Sequence, residues 1–533
     1  MKAPLILLFV PALAWSGAPS PDHSEFEAAL HAPYRAPASG ARTFTLAFDY
    51  PQLAAPLRVR WRLAVTRAGV IKAEWSGRVD LRGAPVDVRV DWAGAAEAGI
   101  YMARMTATAG DDDVVQEWEV LVGVPVAALA PPPQVDLPWD VYYGNLHSQT
   151  NHSDGGAALD ACHGAQRPQS APFGPRDAYT YAHGRGLDFL LTSEHNHMFD
   201  GSAGVRADAD ADAEQARARF HLGLAEAAQY TSAHPGFLAL YGLEWGVIAN
   251  GGHLNILNGT ELLGWESGKD GVPLADTYTA RSDYAGLYAL MRSRGWLGQF
   301  NHPAPGGQFV VDGVPLGYTP DGDAAMALCE VVNTNAFSTN DSETEPRRTI
   351  FEGACNQALE AGYHVAFSSN QDNHCANWGA AYTNRTGVLI ARGQPFNRTA
   401  FMDAVRARRV FATMDKTAQL VLMANGQVMG ARFANRGPLT LMAHFASSAG
   451  RQVASVRLME GVPGRNGKVT VLGEVATITF TPAPGPHFYY ARVTQDDGNI
   501  LWSAPVWVTQ NDAVSAANIP RDPDESRGSR TGR

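Results

Sequence analysis

Positive charge is in short supply in this sequence, and its scarcity restricts the partners that the protein can have. The 533 residues include 53 Asp and Glu against 42 Lys and Arg, which gives a formal net charge of −11. A nucleic-acid backbone is bound by a basic surface, so we expect no nucleic-acid polymer as a partner. A small-molecule substrate with a phosphate group stays compatible with this charge, because metal ions can neutralise phosphate locally.

Long apolar runs are also missing from most of the chain. Beyond the N-terminus, no apolar stretch reaches the roughly 18 residues that suggest a transmembrane helix. At the N-terminus, Lys2 precedes an apolar run at residues 5–13 and the small residues SGA at 16–18, which is the pattern of a secretory signal peptide. We expect residues 1–18 to be removed, leaving a periplasmic or secreted protein without a membrane span.

Cysteine is scarce, since the chain has only Cys162, Cys329, Cys355 and Cys375. No two of them have CxxC spacing, which argues against a cysteine-based zinc site. Export permits disulfides, and four cysteines allow three pairings among which the sequence does not choose. We expect structural bridges or buried thiols rather than metal ligands, and a bridge at Cys375 would hold the loop of the neighbouring residue His374.

The flanks of the chain differ from its centre. Residues 43–48 and 57–63 alternate apolar and polar side chains with period two, which indicates half-buried strands, and short strands of the same kind return at residues 439–445 and 488–493. We therefore divide the chain into a signal peptide at 1–18, an N-terminal β-sandwich at 22–128, a Pro-rich linker at 129–138, a central domain at 139–414, a C-terminal β-domain at 416–510 and a disordered tail at 511–533.

The central domain alternates helix and strand signals. Each of its three clearest units pairs a helix with a following strand, and a glycine marks the end of each helix. The predicted helices are residues 176–183, 284–294 and 347–361, and the strands that follow are 187–191, 296–300 and one ending near Phe367. Repeated helix-to-strand units are typical of the α/β class, with parallel strands and outer helices.

Nine potential metal ligands stand at or near the ends of apolar runs in this domain. The ends of parallel strands meet on one face, so residues far apart in sequence are expected to come together there. Imidazole and carboxylate ligands suit zinc, manganese or iron, and several of each predict more than one ion. The candidates are His147, Gln149, Asp154, His195, Glu244, His253, His302, Asp372 and His374.

The motifs around these residues resemble the PHP (polymerase and histidinol phosphatase) superfamily of metallohydrolases over residues 142–414. They are LHSQTNHSDG at 146–155, SEHN at 193–196, Glu244, His302 with Pro303, and DNH at 372–374. The sequences GGHLN at 251–255 and NWG at 377–379 are most similar to the exported, carbaryl hydrolase-like branch. The resemblance implies a distorted (β/α)7 barrel, flanked here by the two β-sandwich-like domains.

Two residues depart from the family pattern. Gln149 stands where the family usually has a second histidine, and its neutral amide is a poorer zinc ligand than imidazole. One metal position is therefore expected to be weak or differently filled, with His152 as an alternative ligand three residues away. Glu194 replaces the usual aspartate before His195, and we expect it to orient a ligand rather than to bind metal.

The resemblance also implies which residues share an ion. One ion would be held by His147, Glu244 and Asp372, and Glu244 would bridge to a second ion at His302, with His253 close by. A third ion would be held by Asp154, His195 and His374. The expected cofactors are thus two or three divalent ions of zinc, manganese or iron, and His195 or His253 is the candidate proton donor to the leaving group.

The implied activity is ester hydrolysis by a hydroxide that bridges metal ions. Phosphoesters are our first candidate substrates, because they are the commoner substrates of the superfamily. Carboxyl or carbamate esters are the alternative that the carbaryl hydrolase-like motifs imply. A third hypothesis, suggested by Gln149, is a non-catalytic binding protein with a degenerate metal site.

Overall fold

The computed structural model describes residues 26–512, apart from residues 34, 51–54, 83, 111, 124–136, 163, 203–210, 248–250, 269–270, 304–307 and 465–468. The predicted signal peptide, most of the predicted linker and nearly all of the predicted disordered tail lie outside the described residues. In the described part of the chain, none of the six helices combines the length and hydrophobicity of a bilayer-spanning helix.

Eight strands make up the N-terminal region, and they form two antiparallel-rich sheets around a shared core. Alternation in β3 places Phe44, Leu46 and Phe48 in that core and turns Thr43 and Thr45 away from it. One sheet has the order β1-β3-β6 and the other the order β2-β8-β7-β4-β5. The strands are β1 Glu27–His31, β2 Arg35–Ala36, β3 Arg42–Asp49, β4 Leu57–Arg67, β5 Val70–Leu81, β6 Val86–Trp92, β7 Gly99–Ala109 and β8 Asp112–Val122.

The central region contains all six described helices and twelve strands. The helix predicted at residues 284–294 is present with these bounds. It ends at Gly295, whose φ of 69° is the left-handed conformation that glycine adopts readily. The elements are β9 Trp139–Asn145, α1 Pro175–Gly184, β10 Phe189–His195, α2 Ala213–Ala233, β11 Leu238–Val247, β12 Gly252–Ile256, β13 Leu263–Gly264, β14 Thr277–Tyr278, α3 Tyr284–Arg294, β15 Gly298–Phe300, α4 Pro320–Ala325, β16 Met326–Thr334, β17 Arg348–Ile350, α5 Glu352–Ala361, β18 Ala366–Asn370, β19 Arg385–Ala391, α6 Arg398–Arg406 and β20 Val410–Thr413.

The C-terminal region is built of strands alone within the described residues. Four of them, in the order β22-β21-β24-β27, form a separate sheet. The strands are β21 Ala418–Ala424, β22 Gln427–Val428, β23 Arg432–Arg436, β24 Leu439–Ser447, β25 Val453–Gly461, β26 Thr470–Gly473, β27 Thr477–Phe480, β28 Gly485–Gln495, β29 Ile500–Ser503 and β30 Val506–Asn511.

The predicted (β/α)7 barrel is wrong. The central strands instead belong to a 16-stranded sheet whose main path runs β17-β16-β15-β12-β11-β10-β9-β19-β20-β29-β28-β25-β26. Strand pairs β9–β10, β10–β11 and β15–β16 are parallel, but β11–β12, β12–β15 and β9–β19 are antiparallel. The physical reason is that β11 and β12 are joined by a short connection instead of a helical crossover, so the parallel alternation of a barrel is lost.

The boundary predicted near residue 415 does not separate two sheets. Strand β20 pairs antiparallel with β29, so the central sheet continues into the C-terminal strands. The predicted helix at residues 347–361 is also shorter than expected, because its first residues form β17 and only Glu352–Ala361 is helical. The hydrophobic periodicity of a segment does not reveal which distant strand it pairs with.

A disulfide between Cys329 in β16 and Cys355 in α5 joins the sheet to one of its outer helices. We predict that replacing both cysteines with serine lowers the free energy of unfolding by about 3 kcal/mol, because the bridge closes a loop in the unfolded chain. Urea denaturation followed by tryptophan fluorescence measures the change. A loss below about 1 kcal/mol would contradict the expected role of this bridge.

Candidate metal centre

The ends of neighbouring strands bring the nine candidate ligands into one buried region. Strand register explains part of this: His195 at the end of β10 lies opposite Glu244 in β11, and His253 in β12 lies opposite Gly246. Because residues two apart in a strand point to the same face, these three ligands share one face of the sheet. The other candidates follow β9, β15 and β18, and every one of the nine is at most 6% exposed.

The carboxylate of Glu244 lies at the middle of this region. Its Oε1 atom is 3.0 Å from His147 Nε2, 3.1 Å from His253 Nδ1 and 3.5 Å from His302 Nε2. Its Oε2 atom is 3.7 Å from His195 Nε2. Burial alone would raise the pKa of Glu244, but the surrounding imidazoles outweigh burial and hold this pKa well below its ordinary value. This carboxylate therefore lies within 3.7 Å of four imidazole rings.

A second carboxylate, Asp154, lies between two further histidines. Its Oδ1 atom is 3.7 Å from His195 Nε2 and 3.5 Å from His374 Nε2. Among the residues that the structure describes, there are thus three buried groups of histidine and carboxylate that could hold a metal ion. These groups are His147 with Glu244 and His302, His195 with Glu244 and His253, and Asp154 with His195 and His374.

The spacing of these donors fits divalent metal ions. For a tetrahedral ion with metal–nitrogen bonds near 2.05 Å, neighbouring ligand atoms are about 3.3 Å apart. The donor-to-donor distances around Glu244 and Asp154 run from 3.0 to 3.7 Å and bracket that value. Ionised carboxylates in a fully buried site also need a cation, because burying charge without compensation is costly.

The contacts of His147 give the clearest geometric support for a cation in this site. Its Nδ1 atom is 3.2 Å from Glu330 Oε1, and in the neutral tautomer with the proton on Nδ1 this N–H donates to Glu330 and leaves a lone pair on Nε2. The Nε2 atom is 3.0 Å from both Glu244 Oε1 and Asp372 Oδ1. Three electron-rich atoms that converge in this way repel one another unless a cation lies between them. Protonated at both nitrogens, the ring could satisfy only one of the two carboxylates well, although the carboxylates do raise the pKa of His147 against the effect of burial.

Glu330 is a residue of the site that our sequence interpretation missed. It is fully buried in β16, where it also accepts hydrogen bonds from the backbone N–H of His302 at 2.8 Å and from Asn370 Nδ2 at 3.0 Å. It therefore positions two candidate ligands at once. The available signal was a single carboxylate within the otherwise uncharged strand MALCEVVNT, because a fully buried carboxylate must have partners.

Gln149 and Glu194, the two departures from the family pattern, have distinct surroundings. Gln149 lies in the site and donates a hydrogen bond from Nε2 to Glu244 Oε2. Glu194 instead accepts hydrogen bonds from Thr150 Oγ1 at 2.6 Å and Ser153 Oγ at 2.6 Å, so it supports the loop that carries Gln149 and Asp154. Burial raises the pKa of Glu194 to about 7.

His152, the alternative ligand considered for the Gln149 position, is directed elsewhere. Its Nδ1 atom is 2.7 Å from the hydroxyl of Tyr241, and it belongs to none of the three potential metal groups. Burial, assisted by the charge of Arg219, lowers the pKa of His152 to about 3. Gln149, and not His152, therefore lies next to the candidate ligand Glu244.

The backbone around two ligands is strained, and a disulfide fixes the loop of a third. His302 and Asp372 have φ values of 25° and 51°, in the left-handed region that costs a residue other than glycine about 1–3 kcal/mol. A disulfide joins Cys375 to Cys162, directly beside His374. The ligand loops are therefore held in place by covalent and tertiary constraints.

Four arginines of the central region that could in principle clamp a phosphate, Arg281, Arg347, Arg348 and Arg385, have other surroundings. Arg385 is fully buried and forms a 2.7 Å ion pair with Glu343, and Arg348 stacks on the rings of Trp118 and Tyr382. Arg281 is exposed, and Arg347 lines a separate cleft. The charged groups of the site are therefore the buried carboxylates and histidines themselves.

The comparisons with known proteins give no independent assignment. No family model matches the chain, and no curated protein matches it. Among solved structures, similarity is found to the CARDB domain of a Pyrococcus furiosus protein in complex with di-metal ions, at 11% identity over 18% of this chain and 87% of that chain, with a TM-score of 0.15. The resemblance to the PHP superfamily therefore stays a prediction.

Two glycosidases show similarly weak likeness. A β-glucosidase from Listeria innocua is 20% identical over 20% of this chain and 17% of its own, with a TM-score of 0.15. A β-glucuronidase from Parabacteroides merdae is 9% identical over 91% of this chain and 65% of its own, with a TM-score of 0.16. Scores this low carry no argument about the fold or the activity, so function must be argued from the site.

Replacing Gln149 with histidine tests whether this position limits metal loading. We expect Gln149→His to bind one more equivalent of zinc per chain than the wild type, because imidazole is the better ligand and no longer caps Glu244 Oε2. Elemental analysis after dialysis measures the ratio, with Gln149→Leu as the matched control that removes the amide without adding a ligand. An unchanged ratio in Gln149→His would contradict this interpretation.

Replacing Glu330 with glutamine tests its positioning role. We expect Glu330→Gln to weaken zinc binding by about 10- to 100-fold, the usual effect of losing a carboxylate that orients a ligating histidine. Competition with a chromogenic chelator measures the affinity. The control Glu117→Gln removes a partly exposed carboxylate paired with Arg104 in the N-terminal region and should bind zinc like the wild type. Equal losses of zinc affinity in both variants would contradict a specific role of Glu330.

Proposed function

We propose that this protein is a metal-dependent hydrolase of ester bonds, with phosphoesters as the first candidate substrates. The observation that carries the proposal is the approach of His147 Nε2 to within 3.0 Å of both Glu244 Oε1 and Asp372 Oδ1 in a fully buried site. The donor set supports zinc, manganese or iron. Two or three such ions, when bound, would lower the pKa of a water molecule and polarise the ester that it attacks.

The candidate ligands fall into two sets that share Glu244. His147, Glu244, Asp372 and His302 form the half of the site that Glu330 orients, and Asp154, His195 and His374 form the other half. Glu244 belongs to both halves through its two oxygens, which are near His147 and His195 respectively. The rigid positions of these ligands supply the preorganised charge that hydrolysis requires.

His253 is the better candidate for transferring a proton to the leaving group. His195 belongs to two of the potential metal groups, whereas His253 belongs to one. A ring that is less committed to metal can hold or release a proton at its second nitrogen. His253 Nδ1 is 3.1 Å from Glu244 Oε1, which would orient the ring for this step.

We prefer phosphorus over carbon as the electrophile because the candidate metal ligands are numerous enough to hold two neighbouring ions. Two neighbouring ions can stabilise both the attacking and the leaving oxygens of an in-line displacement at phosphorus. Arg348 and Arg385 are engaged by other residues of the protein, so the residues that would hold the metal ions are the ones placed to bind a phosphate. Carboxyl and carbamate esters use the same attack, so they are the alternative outcome of the test.

Hydrolysis by protein reconstituted with zinc, manganese or iron tests the proposal. A phosphomonoester, a phosphodiester and a carboxyl ester are offered separately, and we expect phosphoester cleavage that a chelator abolishes and that added metal restores. Exclusive cleavage of the carboxyl ester would replace the substrate class, and no cleavage of any of the three by metal-loaded protein would favour a non-catalytic binding protein.

Asp372→Asn should reduce kcat by about 1,000-fold or more, because it removes a charged ligand from the site where a metal lowers the pKa of water. The matched control is Asp341→Asn, which changes an exposed aspartate paired with Arg185. Circular dichroism confirms that both variants are folded. A mutant Asp372→Asn with wild-type kcat would contradict the assigned site.

A further inference from the structure

One face of the N-terminal sheet β1-β3-β6 is polar and points away from the sandwich core. His31 in β1 lies opposite Thr45 in β3, and Ala47 in β3 lies opposite Asp87 in β6. Directly opposed residues share a face, as do residues two apart in one strand. These four side chains therefore form a single surface, while Phe44 and Leu46 fill the core behind it.

This surface is one wall of a cleft of about 520 Å³, within the range of small-molecule sites. The opposite wall is the segment that follows β16, including Phe337, Ser338, Thr339, Glu345 and Arg347. Glu345 is 8% exposed and accepts a 2.5 Å hydrogen bond from Ser338 Oγ and a 2.9 Å hydrogen bond from the Arg347 backbone N–H. These bonds hold the second wall in a defined conformation.

The cleft adjoins the metal centre. The ring of Phe337, which lines the cleft, lies with its centroid 4.8 Å from that of His374. The backbone N–H of His374 also donates a 3.0 Å hydrogen bond to the carbonyl of Ala336. One aromatic side chain thus separates a candidate metal ligand from a cleft that the N-terminal domain helps to build.

We propose that this cleft binds a neutral, hydroxyl-rich group, of the sugar or glycerol type, that belongs to the substrate. The assignment of this group to the substrate rests on the proposed function, whereas the binding site itself does not. The N-terminal domain would then contribute directly to substrate specificity through His31, Thr45 and Asp87.

The chemistry of the walls selects this class of ligand. The carboxylates of Asp87 and Glu345 are offset by the guanidinium groups of Arg347 and Arg348, both of which act on His31. The charges around the cleft therefore favour neither an anion nor a cation. A hydroxyl group can donate to a carboxylate and accept from a guanidinium, and the hydroxyls of Thr45 and Thr339 can do both. The apolar ring of Phe337 offers a surface for the C–H groups of such a ligand.

His31 fits the same interpretation. It is half-buried, and burial together with the nearby charge of Arg348 lowers its pKa to about 4. The imidazole is therefore neutral near pH 7 and presents one donor and one acceptor to the cleft. A neutral ring adds no charge that would select an ionic ligand.

Ligand-observed saturation-transfer NMR with methyl α-glucoside tests the binding site without requiring metal or hydrolysis. Wild-type protein should transfer saturation to the glucoside, and Thr45→Trp should lose the signal because the indole fills the cleft. Thr339→Trp fills the cleft from the exposed opposite wall and serves if Thr45→Trp does not fold. The matched control is Thr43→Trp on the same strand, outside the cleft, which should bind like the wild type.

Equal transfer in the wild type and both filled variants, or no transfer in any of them, would overturn the proposal. The link to the substrate has a separate kinetic test with Asp87→Asn. This change should raise KM for a sugar phosphate about tenfold, since a neutral amide oxygen replaces a charged acceptor, and leave KM for 4-nitrophenyl phosphate unchanged. Equal KM changes for the two esters would contradict the link, whereas inactive wild-type protein would contradict only the proposed function.

Discussion

A single charged carboxylate, Glu244, organises the centre of this protein. Its two oxygens are within 3.0 to 3.7 Å of imidazole nitrogens from four histidines, and the whole assembly is buried. A carboxylate in such a place is stable only if positive charge surrounds it. The histidines alone can supply that charge only by protonation, whereas divalent ions supply it while leaving the imidazoles neutral and able to ligate.

The fold meets this requirement by converging strand ends on one face and then fixing the loops between them. Glu330 orients His147 and the backbone of His302, Glu194 supports the loop that carries Asp154, and the bridge at Cys375 holds the segment of His374. These supports come from separate strands and loops. The left-handed backbone at two of the ligands suggests that the surrounding structure, rather than local preference, determines their positions.

The candidate ligands could be picked out from the sequence because a polar residue after an apolar run is a local pattern, and the structure brings them into one buried region. The arrangement of the strands could not, since local periodicity does not reveal that β11 pairs with β12 as an antiparallel neighbour or that β20 pairs with β29 across a predicted domain boundary. Glu330 was missed for a related reason: a lone carboxylate inside an apolar strand has no motif, and its partners are 183 residues away at His147 and 28 residues away at His302.

The most direct test of this account is a crystal structure of metal-loaded protein with anomalous scattering recorded at the zinc edge. We expect one strong anomalous peak between His147 Nε2, Glu244 Oε1 and Asp372 Oδ1, at about 2.0–2.2 Å from each donor, and a further peak beside Asp154. A folded, zinc-treated protein with no anomalous peak among these residues would contradict the central claim that Glu244 bridges metal ions.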